Sequence, residues 1–297
     1  MIGGGSGTAG RLYAPEFLRV VAPLHDPHMG CENQAPLLYA LVRYLKPATI
    51  IEVGGGYTTV FLLQALEDNA AELRRCRGRS AVGEGCVDGG TPMYVGAELL
   101  RPDRVSAEER RRWGREMENE AGGDGKGAYL VGSRSSLLGA NEGLLHCIDN
   151  MAHRFTTAPL VLEAAETLSL EHRLRLVVGD AWKMVPQLDA DLVIDFLWLD
   201  FGAGAKLDTF LELLWDRINP RGGYIAVHST LTNTLTRSWL EGMRQRTRGG
   251  GDDHDIRGLG EFETLSFLEP HKLLQNSFSL FQKRGRGWTE PLLTKYP

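Results

Sequence analysis

From Gln34 onward, short β-branched runs and helix-spaced apolar runs take turns along the chain, and this alternation narrows the available folds more than any other feature. An apolar stripe at helical spacing over residues 34–45 stops at Lys46-Pro47. The run 49–53 then reads as a strand and breaks at Gly54-Gly55-Gly56, and residues 58–69 read as a helix with Thr58 or Thr59 as N-cap. Further strands are expected at 144–148, ending on Asp149, and at 174–178, 192–199 and 223–227. Helical stretches at 156–168 and 205–218 lie between them, and a helix near 232–247 precedes an antiparallel pair, 262–268 and 277–283. The pattern predicts an α/β fold: a Rossmann-like sheet of five parallel strands plus a terminal antiparallel hairpin, flanked by helices.

One stretch interrupts the rhythm. Between about residues 75 and 142, Gly-rich patches surround a charged, helix-like run at 106–120, far longer than the ~2–6 residues that usually join a helix to its next strand. It reads as an insertion, either a surface decoration or a lid or oligomer arm. Residues 1–33 read as a cap on the substrate side and 34–297 as the main domain. With 297 residues the chain suffices for one large α/β domain. A net charge of −5 offers no basic field for nucleic acid. No apolar run reaches the ~20 residues of a membrane span, and the Gly-rich start lacks a leader pattern, so a cytoplasmic protein is expected. Cys31, Cys76, Cys86 and Cys147 form no paired motif and read as reduced thiols.

The segment Ile50-Ile51-Glu52-Val53-Gly54-Gly55-Gly56-Tyr57-Thr58 is a strand, a glycine turn and a helix start, the place where a parallel sheet admits a ligand. A dinucleotide fingerprint would need a glycine at position 59, which is Thr, so an NAD-dependent dehydrogenase is disfavoured. The Glu-x-Gly-x-Gly order instead resembles the first motif of class I S-adenosylmethionine-dependent methyltransferases. Three later segments agree with that resemblance: Asp149 at the end of the second strand, Gly179-Asp180-Ala181, and the turn Ile218–Tyr224 before the fifth strand. The resemblance implies a methyltransferase sheet and S-adenosylmethionine as cofactor, with S-adenosylhomocysteine as product. It implies cofactor contacts from Glu52, Gly54, Gly55, Gly56, Tyr57 and Thr58, ribose contacts from Asp149 with Asn150 beside it, and adenine contacts from Asp180, Ala181 and Trp182. Trp182 reads equally well as a core residue.

The segment Gly30–Gln34 before the first apolar helix resembles the catechol/caffeoyl-CoA O-methyltransferase-like branch, whose members hold a divalent cation with an Asp after strand 4 and an Asp-Asn pair after strand 5. Asp200 matches the first ligand, whereas His228 and Ser229 stand in the other two places. A hard magnesium site loses its oxygen ligands that way; Asp200 and His228 could hold a transition metal, but two ligands are too few, and no metal is expected. His228 is then the candidate general base, with a structural strand-end histidine as the alternative, and Asp200 its orienting partner or a contact to cofactor or substrate. The polar turn around Glu269–Asn276 reads as an ordinary hairpin turn or a border of the substrate mouth. The expected activity is methyl transfer to oxygen or nitrogen of a small-molecule acceptor, without metal, by a monomer or homodimer that engages neither nucleic acid nor membrane. The competing expectation is a non-catalytic binding or scaffold protein on the same fold.

Overall fold

The computed structural model describes residues 11–81, 143–219, 222–232, 234–248 and 261–284. The chain divides into two compact units, one of residues 1–68 with 143–297 and the other of residues 69–142. The expected insertion, with its helix-like run at 106–120, lies outside the described residues except where it overlaps the end of a long helix, as do the Gly-rich tract at 249–251 and the residues Pro220 and Arg221 of the turn before the fifth strand.

The first unit is built on a seven-stranded sheet: β1 (Thr49–Val53), β2 (Leu144–Asp149), β3 (Leu174–Val178), β4 (Phe196–Leu199), β5 (Tyr224–His228), β6 (Glu261–Leu268) and β7 (Ser277–Arg284). Their order across the sheet is β3-β2-β1-β4-β5-β7-β6. β1 to β5 run parallel, and β7 enters antiparallel between β5 and β6. The five-plus-hairpin architecture expected from the alternation is therefore the fold. β1 and β4 are buried on both faces, which is why their sequences, TIIEV and FLWL, are nearly continuous apolar runs rather than alternating ones.

Helices cover the sheet: α1 (Pro15–Val21), α2 (Gln34–Leu45), α3 (Tyr57–Ala81), α4 (Val161–Thr167), α5 (Ala181–Met184), α6 (Leu207–Glu212) and α7 (Thr234–Arg248). One core layer joins Ile51, Leu197, Leu199 and Val227 to Phe210, Trp215 and Leu240. Another joins Leu38, Val42, Leu62, Leu66 and Trp198. A third packs Phe17, Val21 and Leu24 against Phe61 and Val161, which draws the N-terminal segment into the same domain. None of the described helices is long and apolar enough to cross a membrane.

Several boundaries differ from the expectation. The helix expected at 58–69 starts at Tyr57 and runs to Ala81, so Thr58 and Thr59 lie inside its first turn rather than at the N-cap, where the Thr59 hydroxyl oxygen accepts the Gly56 amide at 2.9 Å. The fourth strand begins at Phe196 rather than at 192, because Asp195 turns its carboxylate to the Ala48 and Thr49 amides and the Asn219 side chain at 2.8–3.1 Å. The helix expected at 205–218 is a short α6 between the 3-10 turns Gly204–Lys206 and Trp215–Arg217. The helix at 156–168 starts as a 3-10 turn, Ala158–Leu160, before α4.

Candidate functional site

Strand order reverses between β1 and β4, and there the C-terminal ends of the parallel strands leave a crevice. Gly54 occupies its floor with φ +96°, and a Cβ there would stand 2.1 Å from the carbonyl oxygen of Asp200. Only glycine lets the two strand ends approach so closely. A Cβ on Gly55 would meet Cys147 Sγ at 2.7 Å. The glycine cluster is thus a close-packing device that also brings bare backbone to the cleft.

Asp149 ends β2 beside this turn. Its Oδ2 accepts the Gly55 amide at 2.9 Å and its Oδ1 the Met151 amide at 2.6 Å, so the carboxylate is fixed while each oxygen keeps accepting capacity. Gly54, Gly55, Asp149 and Asn150 line a cleft of about 730 Å³, and Asp180, Ala181 and Trp182 form a further stretch of its wall. The Asp180 side chain caps α5 by accepting the Trp182 amide at 3.1 Å. Trp182 sets its ring edge-on to Phe210 at 5.0 Å, so it is at once cleft wall and core neighbour. Gly56, Tyr57 and Thr58 border a small adjoining recess, which Asp200 also reaches.

Glu52 borders neither space. It is fully buried in β1, where its Oε1 accepts the Thr58 hydroxyl at 2.7 Å and so ties the first turn of α3 to the strand. Burial pushes its carboxyl up to about 8, against the hydroxyls of Thr58 and Thr59, while the Asp200 carboxylate across the turn raises it further.

On the β4–β5 side of the cleft, Asp200 and His228 meet at the strand tips, with His228 Nδ1 2.5 Å from Asp200 Oδ1. The second oxygen, Oδ2, accepts the Cys31 thiol at 2.9 Å. Burial alone would raise the Asp200 carboxyl, but the facing imidazole overcomes it and holds the group below its ordinary value. Burial alone would likewise lower His228, and the Asp200 carboxylate overcomes it and holds the imidazole above its ordinary value. His228 Nε2 lies 3.3 Å from the Gln275 carbonyl oxygen. In the charged form both ring nitrogens donate, so no lone pair faces the cleft. A magnesium site does not fit: beyond Asp200 the strand-5 positions supply an imidazole and the Ser229 hydroxyl, which is 3.1 Å from Thr232 Oγ1.

The fold therefore gathers all of the expected site residues except Glu52 around two contiguous spaces. Cys31 and Gln275 were not among them. Cys31 lies 169 positions from Asp200, and although it falls in the Gly30–Gln34 segment, nothing local in the sequence links its thiol to that carboxylate. Gln275 belongs to the turn between β6 and β7, and with Leu273 and Leu274 it lines the large cleft. His25 and His28 pack edge-on to Tyr57 and flat on Phe155.

No family profile and no curated protein sequence matches the chain. Among solved structures, the chain is similar to the methyltransferase PaMTH1 of Podospora anserina bound to S-adenosylhomocysteine, with 10% identity over 92% of this chain and 88% of that one and a TM-score of 0.51. Two weaker likenesses are the O-methyltransferase of Bacillus cereus in complex with S-adenosylhomocysteine (11%, 93% and 94%, TM-score 0.48) and TomG of Streptomyces achromogenes, an O-methyltransferase involved in tomaymycin synthesis, with S-adenosylmethionine (14%, 90% and 90%, TM-score 0.47). At 10% identity the likeness to PaMTH1 is one of fold: the chain has the Rossmann-like methyltransferase sheet.

Proposed function

We propose that this chain is an S-adenosylmethionine-dependent methyltransferase acting on an oxygen or nitrogen of a small-molecule acceptor, without need of magnesium. The observation that carries the reading is Asp149. Its carboxylate is clamped at the end of β2, beside the bare backbone of Gly54 and Gly55, in the cleft that Asp180, Ala181 and Trp182 also line. A fixed carboxylate with two accepting oxygens suits a vicinal diol, as on a ribose. The cleft volume also falls within the range of about 300–1,000 Å³ typical of small-ligand sites.

On this reading Asp149 accepts the ribose hydroxyls, with Asn150 beside it. Asp180, Ala181 and Trp182 border the adenine, and the Gly54–Thr58 turn carries the amino-acid end. Glu52 acts through Thr58, holding that turn from beneath. The bound sulfonium supplies an activated methyl group. Asp200 and His228 then stand at the acceptor end, and the exposed Leu273 and Leu274 give that end an apolar rim for the body of the acceptor. Holding the acceptor in line supplies most of the acceleration, since alignment alone is worth on the order of 7–11 kcal/mol in favourable cases. His228 acts as a base only once its Nε2 leaves the Gln275 carbonyl and gives up its proton.

Calorimetric titration of the purified protein with S-adenosylhomocysteine, with and without Mg²⁺, tests the reading. Micromolar binding indifferent to Mg²⁺ is expected, and absence of binding at millimolar ligand rejects it. Binding without methyl transfer to any acceptor in a broad panel favours the non-catalytic scaffold alternative.

A further inference from the structure

The acceptor end holds a constellation that methyl transfer by alignment does not use. Cys31 Sγ, one oxygen of Asp200 and a ring nitrogen of His228 lie within 4.8 Å of one another. We infer that Cys31, Asp200 and His228 form a binding site for a thiophilic divalent cation, with Zn²⁺ the best match. The site is a property of these side chains and stands whether or not the chain transfers methyl groups.

Three features point the same way. First, the donor set is one thiol, one imidazole and one carboxylate. Thiolate and imidazole ligands select zinc and related transition metals, whereas Mg²⁺ and Ca²⁺ demand oxygen. The residues that spoil a magnesium site on β5 thus make a softer one.

Second, the geometry is that of a ligand set bridged by protons. The Cys31 thiol and the His228 Nδ1 converge on the two oxygens of a single carboxylate at 2.9 and 2.5 Å. A cation that displaces those two protons meets a thiolate, a neutral imidazole and a carboxylate, whose two negative charges balance its own. Zinc–ligand bonds of about 2.0–2.3 Å are reached by a small outward movement of these side chains.

Third, the surroundings are those of a metal-bound histidine. With Nδ1 on the cation, the Nε2–H remains aimed at the Gln275 carbonyl oxygen at 3.3 Å, the kind of backbone acceptor that orients a ligating imidazole. The Gln275 side chain also carries a buried carbonyl oxygen with no hydrogen-bond partner among the described residues. Three protein ligands leave a fourth position for water or an acceptor heteroatom, the arrangement of an open zinc site. Asp200 and His228 both border the large cleft, from which such a ligand would arrive.

Co²⁺, an optical stand-in for zinc, provides the test on chelator-treated full-length protein. The background is Cys76→Ser/Cys86→Ser, so that neither of those two thiols can contribute. One equivalent of Co²⁺ is expected to produce a thiolate-to-cobalt charge-transfer band in the near ultraviolet. Zn²⁺ should bleach it and excess Mg²⁺ should not. Cys31→Ser is expected to abolish the band, and His228→Ala to weaken Co²⁺ binding at least tenfold. No band in the background protein, or a band that survives Cys31→Ser in folded protein, overturns the proposal. If Cys31→Ser fails to fold, alkylation of Cys31 in the background protein decides, read by peptide mass spectrometry. Protection by stoichiometric Zn²⁺ supports the site, and equal labelling with and without Zn²⁺ rejects it.

Discussion

The two ends of the cleft are built on different principles. The end at β1 and β2 is made of backbone: Gly54 packed against Asp200, Gly55 donating to Asp149, and a carboxylate pinned by two amides. The end at β4 and β5 is made of side chains from distant segments: Cys31 before α2, Asp200 after β4, His228 at the tip of β5 and Gln275 in the last hairpin turn. A backbone-built site tolerates little change, because its shape is the fold itself. A side-chain-built site can be rewritten by single substitutions without disturbing the sheet, which is how one fold serves many acceptors and metal demands.

The sharpest way to break this contrast is Gly54→Ala. The added Cβ meets the Asp200 carbonyl at 2.1 Å in a left-handed conformation, and the combined strain and overpacking cost roughly 4 kcal/mol. Thermal unfolding should show a large loss, and S-adenosylhomocysteine binding should disappear with it.

Next in size is a pH effect at Glu52. Its folded-state value near 8 lies above the ordinary carboxylate value of 4.5, so burial favours the protonated form. The associated stability is complete below pH 4.5 and is lost as the pH rises through 8. Between pH 5 and 8 the ligand-free protein should lose on the order of 3 kcal/mol relative to Glu52→Gln, measured by urea unfolding. Equal slopes for the two proteins would show that Glu52 ionises freely in the folded state.

Asp149→Asn follows. Both Asp149 oxygens accept backbone amides, and an amide side chain satisfies only one of them. Affinity for S-adenosylhomocysteine should fall about 100-fold, equivalent to about 2.7 kcal/mol. The smallest effect belongs to the side-chain end: His228→Ala should lower kcat at least tenfold, about 1.4 kcal/mol, while leaving cofactor affinity within about twofold.

The same contrast separates what was legible in the sequence from what was not. Alternating apolar periods announced the five parallel strands and the hairpin, because burial on both faces of β1 and β4 demands continuous apolar runs. Gly54 and Asp149 were readable because each stands beside its strand in a short motif. The Asp195 clamp that shortens β4 was invisible, since Ala48 and Asn219 are remote in sequence. Cys31 escaped notice for the same reason: a thiol gains meaning only when the fold sets it against Asp200 and His228. The glycine motif implies a cofactor contact for Glu52, whereas its side chain turns inward to Thr58.

The most direct measurement is a side-by-side titration of wild type, Asp149→Asn and His228→Ala with S-adenosylhomocysteine by calorimetry. The division of the cleft predicts micromolar binding for wild type, about 100-fold weaker binding for Asp149→Asn, and near wild-type binding for His228→Ala. Unchanged affinity in Asp149→Asn, or an equal loss in both variants, would contradict it.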